Sequence, residues 1–313
     1  MAESIKHLGI SGGGTKIHGL YAAAKVVLLE HGYKPNYYSG ISAGAILGVP
    51  LALGLYDEIE AVTSTLTLKS FFSESPMNKK NKISAWAAFK AVLGVIGLTK
   101  NNSLGHMGAL YDTYRKVVTE ERFMQYKSDP NTFPVYVGYV DAVDGARHYP
   151  NVKEMEYEDH IKAVVASSSI PCFTKPVHID DQIGVDGGVR DHIGTGWMLD
   201  NFDITRTLSI YSRPDVYDNF LDTNWKDTNV FEVLMRTMDI QTLEISKTDE
   251  RIEDEICKRK RISQKKIFLP KIMNGFYDVS PEKIEMLYQA GIANAREVMS
   301  KPWVAKIFRK KAS

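Results

Sequence analysis

The chain has 313 residues, 44% hydrophobic and 25% charged, with a formal net charge of +1. This is the composition of an ordinary soluble globular protein large enough for one sizeable α/β domain, and the near-zero charge does not imply strong nucleic-acid binding through the whole surface. Its two cysteines, Cys172 and Cys257, cannot form a disulfide framework, so a cytoplasmic, reducing setting is expected.

In chain order, "HLGIS" reads as a short buried strand running into three consecutive glycines, Gly12, Gly13 and Gly14. "KIHGLYAAAKVVLLEHG" reads as a helix stopped at Gly32. "YYSGI" is a second strand, and "AGAILGVPLALG" a second helix weakened by Pro50. Strand, helix, strand, helix with short joints predicts a mainly parallel sheet covered by helices, a three-layer α/β/α sandwich. Residues 57–105 change character: helical propensity surrounds the polar loop "SESPMNKKNK", which suggests an insertion or lid. Within it, Ile83–Leu98 is the longest apolar stretch. Lys90 interrupts it and it is short for a membrane span, so an amphipathic helix, buried or partly exposed, is predicted.

"HMGALYDTYRKVVTEERFMQY" reads as one helix, "FPVYVGYVDA" as a strand with a turn at "VDGAR", and "YEDHIKAVVASSS" as a helix ending before Pro171. "IGVDGGV" is a short strand plus turn, "TRTLSIYS" a strand, "VFEVLMRTMDIQTLEIS" a helix and "KKIFLP" a last strand. The final helix, "SPEKIEMLYQAGIANAREVMS", starts with Ser280 at the N-cap and Pro281 at the first helical position. One domain over residues 1–300 is expected, followed by a basic amphipathic tail, 301–313, in which Trp303, Val304, Ile307 and Phe308 alternate with lysine and arginine.

The chemistry concentrates in three turns. Bare backbone at Gly12–Gly14 suits a phosphate cradle, a tight turn or an oxyanion hole. Gly40-Ile41-Ser42-Ala43-Gly44 is a G-x-S-x-G set between strand and helix. There a sharp turn lifts the serine hydroxyl out of the sheet, and the small neighbours let the turn close. The following helix starts at Ser42, so its free N–H groups face any developing anion. The eight histidines are scattered and form no evident triad, His192 alone being placed near a candidate turn. A carboxylate offers another base: Asp186 precedes Gly187 and Gly188, although in isolation "VDGGV" reads as a hairpin turn.

Taken together and in this order, these turns resemble the patatin-like phospholipases. The family's GGG-x-[KR] stands as Gly12-Gly13-Gly14-Thr15-Lys16, its G-x-S-x-G as Gly40–Gly44, and its D-G-[GA] as Asp186-Gly187-Gly188. An intermediate signature stands as Ala166, Ser167, Pro171, Pro176 and Val177, so the resemblance runs from His7 to Val189. The resemblance implies a Ser-Asp dyad without histidine, Ser42 as nucleophile and Asp186 as base, with oxyanion-hole N–H groups from Gly12, Gly13 and Gly14. Lys16 would add positive potential, and Gly40, Gly44, Gly187 and Gly188 would support the turns. The sequence departs from the family where an Asn and a Pro usually follow D-G-G: His192 and Gly194 stand there. His192 is left to hold the loop or to tune Asp186.

The expected function is therefore a phospholipase A-type lipid acyl hydrolase working through an acyl-enzyme. The substrate would be a phospholipid or acylglycerol, with transient membrane-surface contact and with no metal, cofactor or nucleic acid. Acyl transfer to another acceptor uses the same intermediate, and a silent lipid-binding module is the non-enzymatic rival. Dinucleotide binding fails on spacing, because Ile17 stands where the third small residue of G-x-G-x-x-G belongs.

Overall fold

The structure is a computed structural model that describes residues 4–76, 78, 84–96, 98–100, 102–216, 230–273 and 278–303. The strands are β1 (Lys6–Ile10), β2 (Tyr37–Ile41), β3 (Val135–Asp141), β4 (Arg147–His148), β5 (Val177–Ile179), β6 (Gln182–Asp186), β7 (Arg206–Tyr211) and β8 (Ser263–Phe268). The helices are α1 (Ile17–Lys25), α2 (Ala43–Ala52), α3 (Tyr56–Ser64), α4 (Leu68–Phe71), α5 (Ala85–Val95), α6 (Gly108–Val117), α7 (Glu120–Ser128), α8 (Tyr157–Ser167), α9 (Thr195–Asn201), α10 (Val230–Lys260) and α11 (Pro281–Ser300).

The strands form one mixed sheet in the order β5-β6-β3-β2-β1-β7-β8, with β4 paired on β3. The five strands from β3 to β8 along this order are parallel, as the alternation of strand and helix predicts. Beyond β3 the sheet turns antiparallel through β6 and β5. The two faces are built differently. Leu8, Ile10, Tyr38, Val135, Val137, Leu208 and Ile210 point into the larger core, which α1, α2, α8 and α11 cover. Their neighbours point the other way, as strand pleating requires. There a smaller cluster of Tyr136, Met198, Leu199, Ile256 and Cys257 joins the sheet to α9 and α10. Helices on both faces of the sheet make the expected three-layer α/β/α sandwich.

Much of the face under α9 and α10 is polar, and several of its groups are paired. His7 bonds Thr207 Oγ1 at 2.9 Å through Nδ1 and Ser39 Oγ at 3.0 Å through Nε2. Glu253 of α10 accepts hydrogen bonds from Ser209 at 3.0 Å and Tyr211 at 2.8 Å. A buried polar group costs little when so satisfied. These bonds seat α10 in one place over the sheet.

Several elements depart from the sequence reading. The helix expected across residues 106–126 is two helices, α6 and α7, because Thr119 caps the second by accepting the Arg122 N–H at 3.3 Å. The helix expected to end at Ser246 continues to Lys260. The strand β5 and the helix α9 were not anticipated from pattern. Ser280 precedes α11 as predicted but makes no side-chain cap; its own N–H donates to Asp278 at 3.2 Å. In the tail, Trp303 stacks on Tyr33 with centroids 5.7 Å apart and lies under the Lys265 ammonium, so it packs on the domain. The remainder of the tail, including Val304, Ile307 and Phe308, lies outside the described residues, as does most of the polar loop between Pro76 and Ser84.

Candidate active site

Ser42 ends β2 and starts α2 in a conformation that side chains avoid, φ 53° and ψ −114°. Such backbone persists only where the surroundings over-determine it. Here they do. A Cβ on Gly44 would stand 2.1 Å from the Ile10 carbonyl oxygen, and one on Gly40 would stand 2.4 Å from the Gly44 carbonyl carbon. Only glycine at both places lets β1, β2 and α2 meet this closely. Ser167, at the end of α8, completes the clamp. Its hydroxyl accepts the Ser42 N–H at 2.9 Å and donates to the Gly138 carbonyl at 2.5 Å.

Asp186 ends β6 and is 6% exposed. Its N–H donates to the Ser169 carbonyl at 2.8 Å, so the last turn of α8 and the serines after it hold both Ser42 and Asp186. Burial pushes the Asp186 carboxyl up to about 7; the Gly188 N–H, donating at 2.7 Å, and the neighbouring Ser42 hydroxyl offset part of that rise. Desolvation disfavours the charged form and is the larger effect here.

The glycine loop after β1 is fixed unevenly. Gly12 donates its N–H to the His192 carbonyl at 2.9 Å, and its own carbonyl accepts from Ser11 at 2.9 Å and Ser212 at 2.5 Å. That N–H is spent inside the protein. The N–H groups of Gly13 and Gly14 have no partner among the described residues, and Gly14 adopts φ 53°. Lys16 follows on the short helical turn before α1. Burial pushes its ammonium down, and Asp239 of α10 counters that in part.

His192 is held by its backbone. Its N–H donates to Asp249 of α10 at 2.6 Å, and its carbonyl takes the Gly12 N–H. Burial, with Lys16 and Arg213 nearby, drives its imidazole down to about 3, so the ring is neutral at ordinary pH. The ring reaches the site: a Cβ on Gly12 would lie 3.3 Å from His192 Nε2 and 3.4 Å from Ser42 Cβ.

Ser42, Asp186, His192 and the Gly12–Gly14 loop line one cavity of about 430 Å³. Its remaining wall comes from Gly188 and Val189, from Ile170 and Pro171, and from Met238, Gln241, Thr242, Glu244 and Ile245 of α10. No residue of the 57–105 segment lines it among the described residues; the helix over the cavity is α10. Arg213 ties α10 down through Ser246, at 2.9 Å, and Glu250. Sequence reasoning missed α10 as a wall and Ser167 as a clamp, although Ser167 stood in plain sight inside the intermediate signature. Among the described residues no group of three or more His, Cys, Asp or Glu could hold a metal ion. No helix among them is long and apolar enough to cross a membrane.

The chain is of the class of three-layer α/β/α sandwiches that carry an elbow serine and a buried carboxylate in one cavity beside the sheet. Within that class the chain belongs to the patatin-like phospholipase family, whose sequence profile matches residues 8–196. Among solved structures it is similar to VipD from Legionella pneumophila, with a TM-score of 0.52 at 14% identity, covering 95% of this chain and 67% of that one. The type III effector protein ExoU is more distant, with a TM-score of 0.42 at 11% identity, and this chain spans 53% of its length. ExoU from Pseudomonas aeruginosa, in complex with SpcU, matches at 16% identity and a TM-score of 0.36 over 82% of this chain and 52% of that one. No curated protein sequence matches the chain.

Proposed function

We propose that the chain is a phospholipase A-type lipid acyl hydrolase with a Ser42–Asp186 dyad. The observation that carries the reading is the pairing of a strained elbow serine with a buried carboxyl poised at about 7 in the same cavity. A general base works best when its pKa lies near the working pH. Ser42 Oγ attacks the ester carbonyl carbon as its proton passes to Asp186. The carbonyl oxygen takes up the negative charge and is met by the N–H groups of Gly13 and Gly14. Each such donor is worth about 3 kcal/mol in the transition state. The intermediate collapses with cleavage of the ester C–O bond, and Asp186 returns the proton to the departing alkoxide. A water then attacks the acyl-serine, giving its proton to Asp186, and the fatty acid leaves as Ser42 Oγ recovers that proton.

Gly12 is left out of the oxyanion role because its N–H is already bonded to His192; it braces the loop instead. The neutral His192 ring forms part of the cavity wall and carries no charge with which to tune Asp186. Lys16, on the turn after the glycine loop, contributes positive potential, which the charge of Asp239 favours against the cost of burial.

The test combines a fluorophosphonate probe with fatty-acid release from mixed phospholipid vesicles. The reading expects labelling of the wild type and none of Ser42→Ala, with turnover lost in Asp186→Asn. Undiminished ester hydrolysis in both variants would overturn the dyad. Vesicle binding without turnover would favour a lipid-binding module, and acyl transfer to an added alcohol in preference to water would favour a transferase.

A further inference from the structure

Helix α5 is built inside out. Ala87, 1% exposed, faces the protein, while Trp86, Phe89, Val92 and Ile96 are 61%, 54%, 55% and 59% exposed. Core packing demands the reverse, with bulky side chains inward and small or polar ones outward. Trp86 and Phe89 stack with centroids 5.8 Å apart, and Leu98, just past the helix, is 71% exposed. A contiguous apolar ridge of this kind on a soluble fold marks an interaction surface.

The charge along the sequence of this segment says what covers the ridge. From residue 77 to 111 the sequence holds five lysines and no aspartate or glutamate; Lys79, Lys80 and Lys82 lie outside the described residues, and Lys100 is described and exposed. Glu74, just before the segment, pairs with Lys90 at 2.5 Å, so the two charges offset each other, and also accepts from the Trp86 indole N–H at 3.1 Å. An apolar ridge with aromatic rings, on a segment of purely positive charge, is complementary to an anionic lipid surface.

The ridge is also tied to the cavity. Glu74 forms a β-bridge with His106. Next to it, Gly105 bridges Thr174 and the Leu104 N–H donates to the Cys172 carbonyl at 2.9 Å. That loop begins with Ile170 and Pro171, which line the cavity above Ser42. A continuous strap therefore runs from α5 to the cavity rim.

We propose that α5 is an interfacial anchor: its outward face enters the surface of an anionic phospholipid bilayer and sets the cavity mouth against the lipid. The second half of this statement rests on the hydrolase reading; the first does not. Binding is measured by co-sedimentation of Ser42→Ala protein, which removes turnover, with vesicles of phosphatidylcholine containing phosphatidylglycerol. Adding Trp86→Ala and Phe89→Ala to that protein should weaken partition about tenfold for each ring removed. Partition should also fall with salt and on pure phosphatidylcholine. In the otherwise wild-type enzyme the same pair should slow vesicle hydrolysis and leave hydrolysis of a monomeric short-chain ester unchanged, with an unaltered melting temperature confirming the fold. Equal partition with and without the two rings would overturn the anchor. So would a concentration-dependent dimer abolished by the substitutions while partition holds, which would assign the ridge to a second copy of the chain. Absence of any ester turnover by wild type, with partition still lost in the variant, would uphold the anchor and remove the hydrolase reading alone.

Discussion

Replacing Asp186 with asparagine should stabilise the fold while abolishing turnover, and the gain should depend on pH in a defined way. In the folded chain the carboxyl is pushed from 3.8 to about 7, chiefly by burial. A raised carboxyl pKa means that the native state holds its proton more tightly than the unfolded state does. Stability contributed by this group is therefore highest at low pH and is lost as pH rises from the unfolded to the folded value. The full shift, about three units, corresponds to a cost of about 4 kcal/mol above neutrality. Between pH 5 and pH 8.5 about two of those units are crossed, so the cost grows by about 3 kcal/mol over that interval.

Asparagine carries no charge to bury and can still accept the Gly188 N–H through its side-chain oxygen. Its advantage over aspartate should widen by about 3 kcal/mol between pH 5 and pH 8.5. Asp249, itself raised to about 8 by burial and by Asp191, titrates in both proteins and cancels in the comparison. The assay is urea unfolding of wild type and Asp186→Asn at several pH values, taking the difference in unfolding free energy at each. A difference that stays flat across this range would refute the reasoning, because it would mean that Asp186 is ionised in the native state throughout. The same variant should show no vesicle hydrolysis.

The remaining predictions follow from the same geometry. In wild type, kcat/KM for a soluble ester should rise with pH about a midpoint near 7; His192→Asn should leave that midpoint in place, since the imidazole is neutral throughout and its loop is held by backbone bonds. A midpoint that moves with the substitution would assign the titration to His192. Gly44→Ala should cost about 3 kcal/mol or more, or block folding, since its methyl group would stand 2.1 Å from the Ile10 carbonyl oxygen; thermal unfolding checks it. Ser167→Ala should cost about 2 kcal/mol, because it strands the Ser42 N–H and the Gly138 carbonyl, and it should lower kcat more than it raises KM.

The legible parts of this protein are those whose physics is local. A strand ending in glycines, an elbow that tolerates only small neighbours, and an Asp-Gly-Gly turn each leave a trace within a few residues, so β1, β2, β6 and the turns after them could be placed from sequence. Stop signals likewise located α1, before Gly32, and α8, before Pro171, and the run of small apolar residues after the elbow located α2. The illegible parts depend on partners far along the chain. The antiparallel edge formed by β5 and β6 is a matter of register on β3, and the alternation of β5 is only three residues long, too short to mark a strand. The split between α6 and α7 turns on a single threonine acting as a cap. The Gly12 N–H could not be struck from the oxyanion set until His192, 180 positions later, was seen to accept it.

The same distinction explains why a carboxylate can be proposed as the base here at all. An aspartate with its ordinary pKa is a feeble base at neutral pH, and "VDGGV" carries no sign that Asp186 differs from any turn aspartate. What changes it is desolvation, and the cavity in which it sits is closed in part by Met238, Thr242 and Ile245 of α10. That helix is fixed by contacts beyond the cavity: Glu253 to Ser209 and Tyr211, Asp249 to the His192 N–H, and Ser246 and Glu250 to Arg213. Loosening those contacts should admit water and let the Asp186 pKa fall, which removes the base strength without touching the dyad. On the proposed reading Ser42 and Asp186 carry the chemistry, and the seating of α10 is part of what would set the carboxyl's basicity.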